Sequence, residues 1–269
     1  MRRSMPFAWR AKRCGCVTIK RRASWDIRPV PPGGRSKRQS NGFKRTVTVR
    51  TWLLVAAERR ELEGVLRRFP AATKLEWPGA KFARAAEWKG DRWWMVASGP
   101  GPRLVERALG EKKNVNGIIS TGFCGALDPA LRVGDIVVGG DAAVASGAPF
   151  VRGEIFSADR VAVTAVEKRE LRNRTGAVAV EMEAAAAKSK AAEWGVPFMC
   201  IRVVSDTAAV DLPLDFNRFR DADGNFSRTR IALAAMARPF SAMPDLMELD
   251  RNCRRAAQAL GDFLADCRL

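Results

Sequence analysis

Carboxylates and a glycine turn sit where an α/β chain could bring them to one place. Glu61 follows the apolar run Trp52–Ala57, and Glu181 and Glu183 flank Met182 just after Val178-Ala179-Val180. Asp206 ends the run Phe198–Val204 in Val204-Ser205-Asp206. A glycine-bearing segment, Thr121-Gly122-Phe123-Cys124-Gly125, follows the short apolar stretch Gly117–Ser120. Carboxylates serve as general acids, general bases and stabilisers of a developing positive charge. The chain has no histidine and no tyrosine. That excludes Ser-His-Asp and Cys-His mechanisms, His-ligated zinc and His-held haem. Acid–base chemistry must therefore run on Asp, Glu, Lys, Cys or Arg.

The elements that would position these residues alternate. Val49–Ala57 reads as a buried strand and Arg60–Phe69 as a helix. Phe82–Trp88 and Arg92–Ser98 read as a strand pair about Lys89-Gly90-Asp91. Arg103–Leu109 is a short helix, and Gly117–Ser120 and Val133–Val138 are short strands. Then come a strand at Glu154–Ser157, a helix at Val163–Arg172, a strand at Val178–Val180, an Ala-rich helix at Glu183–Trp194 and a strand at Phe198–Val204. Apolar residues from Leu246 to Cys267 recur every three or four positions, which predicts a C-terminal helix packed on the core. Such alternation implies an open α/β sheet covered by helices, with ligands bound beyond the carboxyl ends of the strands.

Each residue alone has a plainer explanation. Glu58 and Glu61 fit ordinary first-turn acids, Gly122 and Gly125 a tight turn, Ser205 or Asp206 a helix cap, and Glu181 and Glu183 solvated helix positions.

The 269 residues suffice for one large α/β domain or two small ones, and 47% are apolar. The net charge of +18 is concentrated at the start: residues 1–46 hold 14 Lys or Arg against one acid, Asp26. The remaining 223 residues carry 33 basic and 28 acidic side chains. Residues 1–46 are expected to be a basic, disordered extension, and 47–269 the folded domain. The extension fits a basic arm, an organelle-type presequence, or translation from a start codon placed too far upstream; the last is favoured because the recognisable domain begins abruptly near Val47. No apolar run is long enough for a membrane span and no secretory signal is evident, so a cytoplasmic location is expected. The six cysteines match no zinc or redox spacing. Cys253 and Cys267, 14 residues apart on one predicted helix, would stand roughly 21 Å apart, too far to bridge.

Taken in order, these segments resemble the purine nucleoside phosphorylase and methylthioadenosine/S-adenosylhomocysteine nucleosidase superfamily. The resemblance rests on Thr121–Val138, on Ala179-Val180-Glu181-Met182-Glu183-Ala184, on Val196-Pro197-Phe198 and on Ile201–Asp206, and extends roughly from Val47 to the C-terminus. It implies a three-layer α/β/α sandwich with a mixed, partly barrel-like central sheet. The activity it implies is cleavage of the N-glycosidic bond of a purine ribonucleoside. By the same resemblance Glu61 activates the attacking water, Met182 and Glu183 hold the ribose, and Asp206 donates a hydrogen bond or proton to purine N7. Phe123, Cys124, Gly125 and Ser205 are the expected further substrate contacts. Burial is expected to raise the pKa of Asp206, because the acid must be protonated to serve the leaving base.

Members of this superfamily use either water or phosphate. The arginine that phosphorylases place before the glycine segment falls at Ser120, so water is the expected nucleophile; Arg103, after Ser98-Gly99-Pro100-Gly101, stays a candidate anion contact. The purine-stacking aromatic falls at Val161, which leaves adenine in question. Asp159-Arg160, Glu167-Lys168 and Arg238-Pro239 are closer to hopanoid-associated phosphorylases, which implies an adenosine with a large apolar 5′ group. The expected partners are the nucleoside, water or phosphate, and a second copy of the chain, with no cofactor, metal or membrane span. Two further readings stand beside this one: nucleic-acid binding through the basic tail, which is not favoured, and a catalytically dead ligand-binding relative.

Overall fold

The computed structural model describes residues 49–69, 71–140, 143–221, 225–236 and 242–269. The basic segment 1–46 and the Arg238-Pro239 pair lie outside them. Residues Val47–Leu269 form one compact unit.

The strands are β1 (Thr51–Ala56), β2 (Thr73–Lys74), β3 (Phe82–Trp88), β4 (Asp91–Ala97), β5 (Gly117–Ala126), β6 (Ile136–Gly139), β7 (Val151–Arg152), β8 (Ile155–Ser157), β9 (Ala179–Glu181) and β10 (Phe198–Asp206). The helices are α1 (Glu63–Arg68), α2 (Pro102–Ala108), α3 (Ala165–Thr175), α4 (Ala184–Trp194), α5 (Arg228–Met236) and α6 (Ala242–Asp266). All ten strands join one mixed sheet in the order β2-β3-β4-β1-β5-β10-β6-β7, with β9 pairing both β5 and β8.

The centre of the sheet is parallel and covered on both faces, which is why its strands read as continuous apolar runs. Side chains alternate across β1. Trp52, Leu54 and Ala56 pack on one face with Leu62, Val65 and Phe69 of α1 and its flanks and with Ala256, Leu260 and Phe263 of α6. Leu53 and Val55 pack on the other with Val105 and Ala108 of α2 and with Ala186, Ala187, Ala191 and Trp194 of α4. These are the three layers of an α/β/α sandwich. The alanines of α4 suit a helix laid close against a sheet, and Gly195, at φ 67°, ends it in the left-handed region.

Two expectations need correction. The helix read at Arg60–Phe69 is a 3-10 turn, Arg59–Leu62, followed by the short α1. The turn is locked by reciprocal capping between Glu58 and Glu61, which fixes Glu61 in place. The second correction concerns the glycine segment. It is not a turn after a four-residue strand; β5 continues through it to Ala126. β10 pairs with β5 from Ile118 to Gly125, while on the other side β5 changes partner from β1 to the antiparallel β9. Between the two partners Phe123 N donates to a side chain, that of Glu61, and β9 takes up only Gly125 and Ala126. Gly122, at φ 130°, allows the change of course.

α6 crosses α1 with almost no space between backbones. A Cβ on Gly64 would lie 1.8 Å from the Ala257 carbonyl oxygen, and one on Gly261 would lie 2.2 Å from the Gly64 carbonyl carbon. Cys253 lies within α6 and Cys267 just beyond it; with Cys124 and Cys200 both are free and buried.

Candidate active site

Glu61, Phe123, Cys124, Gly125, Met182, Glu183, Ser205 and Asp206 all line one cleft of about 1390 Å³. It opens at the carboxyl ends of β1, β5 and β10, where an open α/β sheet binds ligands.

At one end of the cleft sits a cluster of charge. Arg202, in the middle of the apolar β10, is wholly buried. It pairs with Glu181, donates from Nη2 to Ser120 Oγ at 2.8 Å and from Nη1 to the Thr121 carbonyl at 3.0 Å, and lies 3.6 Å from Glu183 Oε2. Glu61 joins from the opposite wall: Oε1 accepts from Phe123 N and Oε2 from Glu58 N, both at 2.8 Å. Gly122 lies across from Arg202 in the ladder. A Cβ there would stand 2.7 Å from Glu61 Oε1 and 3.0 Å from Arg202 Nη1, so the missing side chain is the space in which carboxylate and guanidinium meet.

Glu183 is buried and held on its other oxygen. Gly101 N donates to Oε1 at 2.8 Å. The loop Ser98–Gly101 thus binds an anion, but that anion is the Glu183 carboxylate, while Arg103 is exposed and outside the cleft lining. Burial pushes Glu183 up to about 7; Arg202 opposes this and the charges of Glu181 and Glu61 reinforce it. Burial likewise raises Glu61 above the ordinary carboxylate range, against Arg202 and the two backbone donors. Burial works against the charge of Arg202, yet Glu181, Cys200, Glu183 and Glu61 together hold it above its ordinary value.

Glu181 and Arg202 are what sequence reasoning missed. Glu181 is no solvated helix residue. Its Oε2 accepts from Glu183 N and Ala184 N at 2.8 Å each, capping α4, and its Oε1 accepts from Ser157 Oγ. Two signals were available: an acid placed two residues before an Ala-rich helix, and a lone arginine inside Met199–Val204, since an arginine in a buried strand must be paired.

Asp206 stands at the other end. Its Oδ1 accepts from Ser205 Oγ at 2.7 Å, and its Oδ2 lies 2.7 Å from Lys168 Nζ. A Cβ on Gly125 would lie 3.0 Å from Oδ2, so this glycine too leaves room for a carboxylate. Sequence reasoning expects burial to act on this acid and supplies no partner for it; the structure adds an ion pair, because α3 delivers Lys168 to the same carboxyl. Val161 lines the cleft, and so does Phe216 from a different segment. Asn217 exchanges hydrogen bonds with the Val161 backbone at 2.9 and 3.0 Å, and this brings its neighbour Phe216 into the cleft wall.

A family profile described as the phosphorylase superfamily matches residues 53–145 and 140–237. A curated 5′-methylthioadenosine/S-adenosylhomocysteine nucleosidase of Mycobacterium bovis is 36% identical over 67 residues, 25% of this chain and 26% of that protein. The chain therefore matches only about a quarter of that relative's length. Among solved structures, the 5′-methylthioadenosine/S-adenosylhomocysteine nucleosidase of Neisseria meningitidis in complex with methylthio-immucillin-A aligns with a TM-score of 0.59 at 22% identity, covering 81% of this chain and 98% of that one. The futalosine hydrolase of Helicobacter pylori aligns with a TM-score of 0.59 at 17% identity, covering 81% and 97%. These likenesses establish the sandwich fold, and the profile, which spans well over half of the chain, establishes the family: the chain belongs to the phosphorylase superfamily.

Proposed function

We propose that the protein hydrolyses the N-glycosidic bond of a purine ribonucleoside. The observation that carries this reading is the convergence of Glu61, Glu183 and Asp206 on one cleft, with the buried Arg202 guanidinium between the first two. Breaking the bond develops positive charge on the sugar and negative charge on the base. Glu61, with a proton affinity raised by burial, takes the proton of the attacking water. Glu183 binds the ribose hydroxyls with Met182 and favours the cationic sugar. Asp206 serves purine N7 as the bond breaks. Phe123, Cys124, Gly125 and Ser205 shape the walls between these groups.

Water is favoured over phosphate for an electrostatic reason. The Arg202 terminal nitrogens are committed to Ser120, Thr121, Glu181 and Glu183, and the carboxylates around it outnumber it. A phosphate dianion would meet like charge there. The relatives named for 5′-methylthioadenosine and S-adenosylhomocysteine support a 5′-substituted adenosine as substrate. The size of the cleft points the same way. Its 1390 Å³ exceeds the roughly 300–1,000 Å³ of most small-molecule sites. Part of its wall is apolar, with Phe216, Phe226, Ile231, Leu246 and Leu249, and arginines such as Arg60 and Arg254 also line it. Exposed Leu233 and Met247, on the helices that border this wall, support a homodimer, which sedimentation equilibrium would read. No helix among the described residues is long and apolar enough to cross a membrane. The four free thiols support a cytoplasmic location. We assign the activity to residues 47–269.

The test is a nucleoside panel (methylthioadenosine, S-adenosylhomocysteine, futalosine-like compounds, inosine) incubated with and without phosphate, with free base read by chromatography. Both the full chain and residues 47–269 should release base without phosphate, and Glu61→Gln should slow release by about 10²–10⁴-fold. Strict phosphate dependence would convert the reading to a phosphorylase. No base from any nucleoside would remove it.

A further inference from the structure

Lys168 has no part in the chemistry described so far, yet it is the one lysine among the described residues that is fully buried. Its side chain is 0% exposed, against 12% for Asp206. It projects from the first turn of α3, where the helix dipole disfavours a cation. Burying an ammonium there is costly unless every proton is bound. Every proton is bound: Nζ donates to the Thr207 carbonyl at 2.8 Å, to the Val210 carbonyl at 2.9 Å, and meets Asp206 Oδ2 at 2.7 Å. An ammonium has three N–H groups and no acceptor. Two are pinned to backbone, and the third lies on the only contact whose partner can take a proton. A neutral amine would still satisfy both carbonyls, and its lone pair would face the Asp206 carboxyl.

We propose that Lys168 is a positioning residue that acts through Asp206: it orients the carboxyl towards the cleft and stores, on their shared contact, the proton that Asp206 passes to the leaving base. This rests on the nucleosidase reading above. In the step, the C1′–N9 bond breaks and its electron pair goes to the purine. The stored proton moves from Nζ to the Asp206 carboxyl and on to N7. Water oxygen bonds to C1′ and its proton goes to Glu61. Afterwards Glu61 releases its proton to solvent and the pair regains one through Asp206, so the net change is addition of water across the bond.

The titratable groups about the pair leave the signal clean. Cys124 of β5 and Cys253 of α6 face Asp206, and burial holds both thiols up, Cys253 to about 11. Asp211 accepts from Ala165 N at the start of α3, and Glu167 pairs with Arg160. The Arg202 cluster is common to every variant considered.

The experiment compares kcat against pH for wild type, Lys168→Met and Lys168→Arg on the best nucleoside of the panel. With the store gone, Asp206 must draw its proton from solvent, so the ratio of Lys168→Met to wild-type kcat should fall as pH rises, reaching about 10²-fold loss at alkaline pH with KM little changed. Lys168→Arg keeps charge and donors but cannot give up a proton. It should fold with near-native melting and show the same pH-dependent loss, which keeps the test valid where the methionine variant does not fold. A flat ratio would mean that Lys168 is only structural. A ratio rising with pH would mean that it only stabilises the carboxylate. Either result, or a Lys168→Arg enzyme with the wild-type profile, overturns the proposal. A wild type that releases no base would instead overturn the nucleosidase reading, and this proposal with it.

Discussion

The two ends of the cleft solve the problem of burying carboxylates differently. At one end Glu61, Glu181 and Glu183 gather around the single guanidinium of Arg202; at the other Asp206 has an ammonium to itself. The first arrangement carries more negative than positive charge in a dry place, so the cluster holds on to protons, and Glu183 at about 7 is where this is felt. The second is balanced in charge and saturated in hydrogen bonds. An enzyme that needs a base at one end and a proton at the other is served by that asymmetry.

The largest effect should come from removing the shared cation. Arg202→Met leaves Glu181 and Glu183 buried with only neutral hydrogen-bond donors and no cation beside them, and should cost about 3–5 kcal/mol of stability by urea unfolding. A loss under about 1 kcal/mol would mean that the cluster is hydrated and that the contrast between the ends is weaker than drawn. Next is the gap that lets the cluster form. In Gly122→Ala the new methyl meets Glu61 Oε1 and Arg202 Nη1, and the φ of 130° adds backbone strain. Displacing Glu61 by about 1 Å should lower base release by about 10²-fold; an unchanged rate would detach Glu61 from the chemistry.

The smallest and most diagnostic effect is a slope. Glu183 binds its proton more tightly in the folded chain than the ordinary 4.5 of a free side chain. The stabilisation from that proton is complete below about 4.5 and is lost as pH rises to about 7. Urea midpoints should therefore decline across that window more steeply in wild type than in Glu183→Gln. Equal slopes would show that the excess negative charge of the cluster is relieved elsewhere.

Much of this was legible in the residues. Period-two and apolar patterning placed the main strands, and the order Glu61, Glu183, Asp206 in its surrounding motifs drew the cleft. What escaped was held by partners far away in the chain. Arg202 is explained by Glu181, 21 positions earlier, and Lys168 by Asp206, 38 positions later; no local window contains either pair. The continuation of β5 past Ser120 was hidden because its later half is paired by the distant β10 and, at Gly125 and Ala126, by β9, and a glycine-bearing stretch reads locally as a turn. Phe216 lines the cleft beside Asn217, which bonds the Val161 backbone across 56 residues.

That continuation makes β5 a ruler. Gly122 touches Glu61 and Gly125 touches Asp206, so the two ends of the cleft are gauged by three residues of one extended strand, about 10 Å. Such a span leaves room for a hydrogen bond at each end and a glycosidic bond with part of a purine between them. Neither mark tolerates a side chain: a Cβ on Gly122 would stand 2.7 Å from Glu61 Oε1, and one on Gly125 3.0 Å from Asp206 Oδ2. Both carboxylates are thus set against the sheet, while the facing wall of the cleft is built by 3-10-turn and helical residues such as Phe216, Ile231, Leu246 and Leu249.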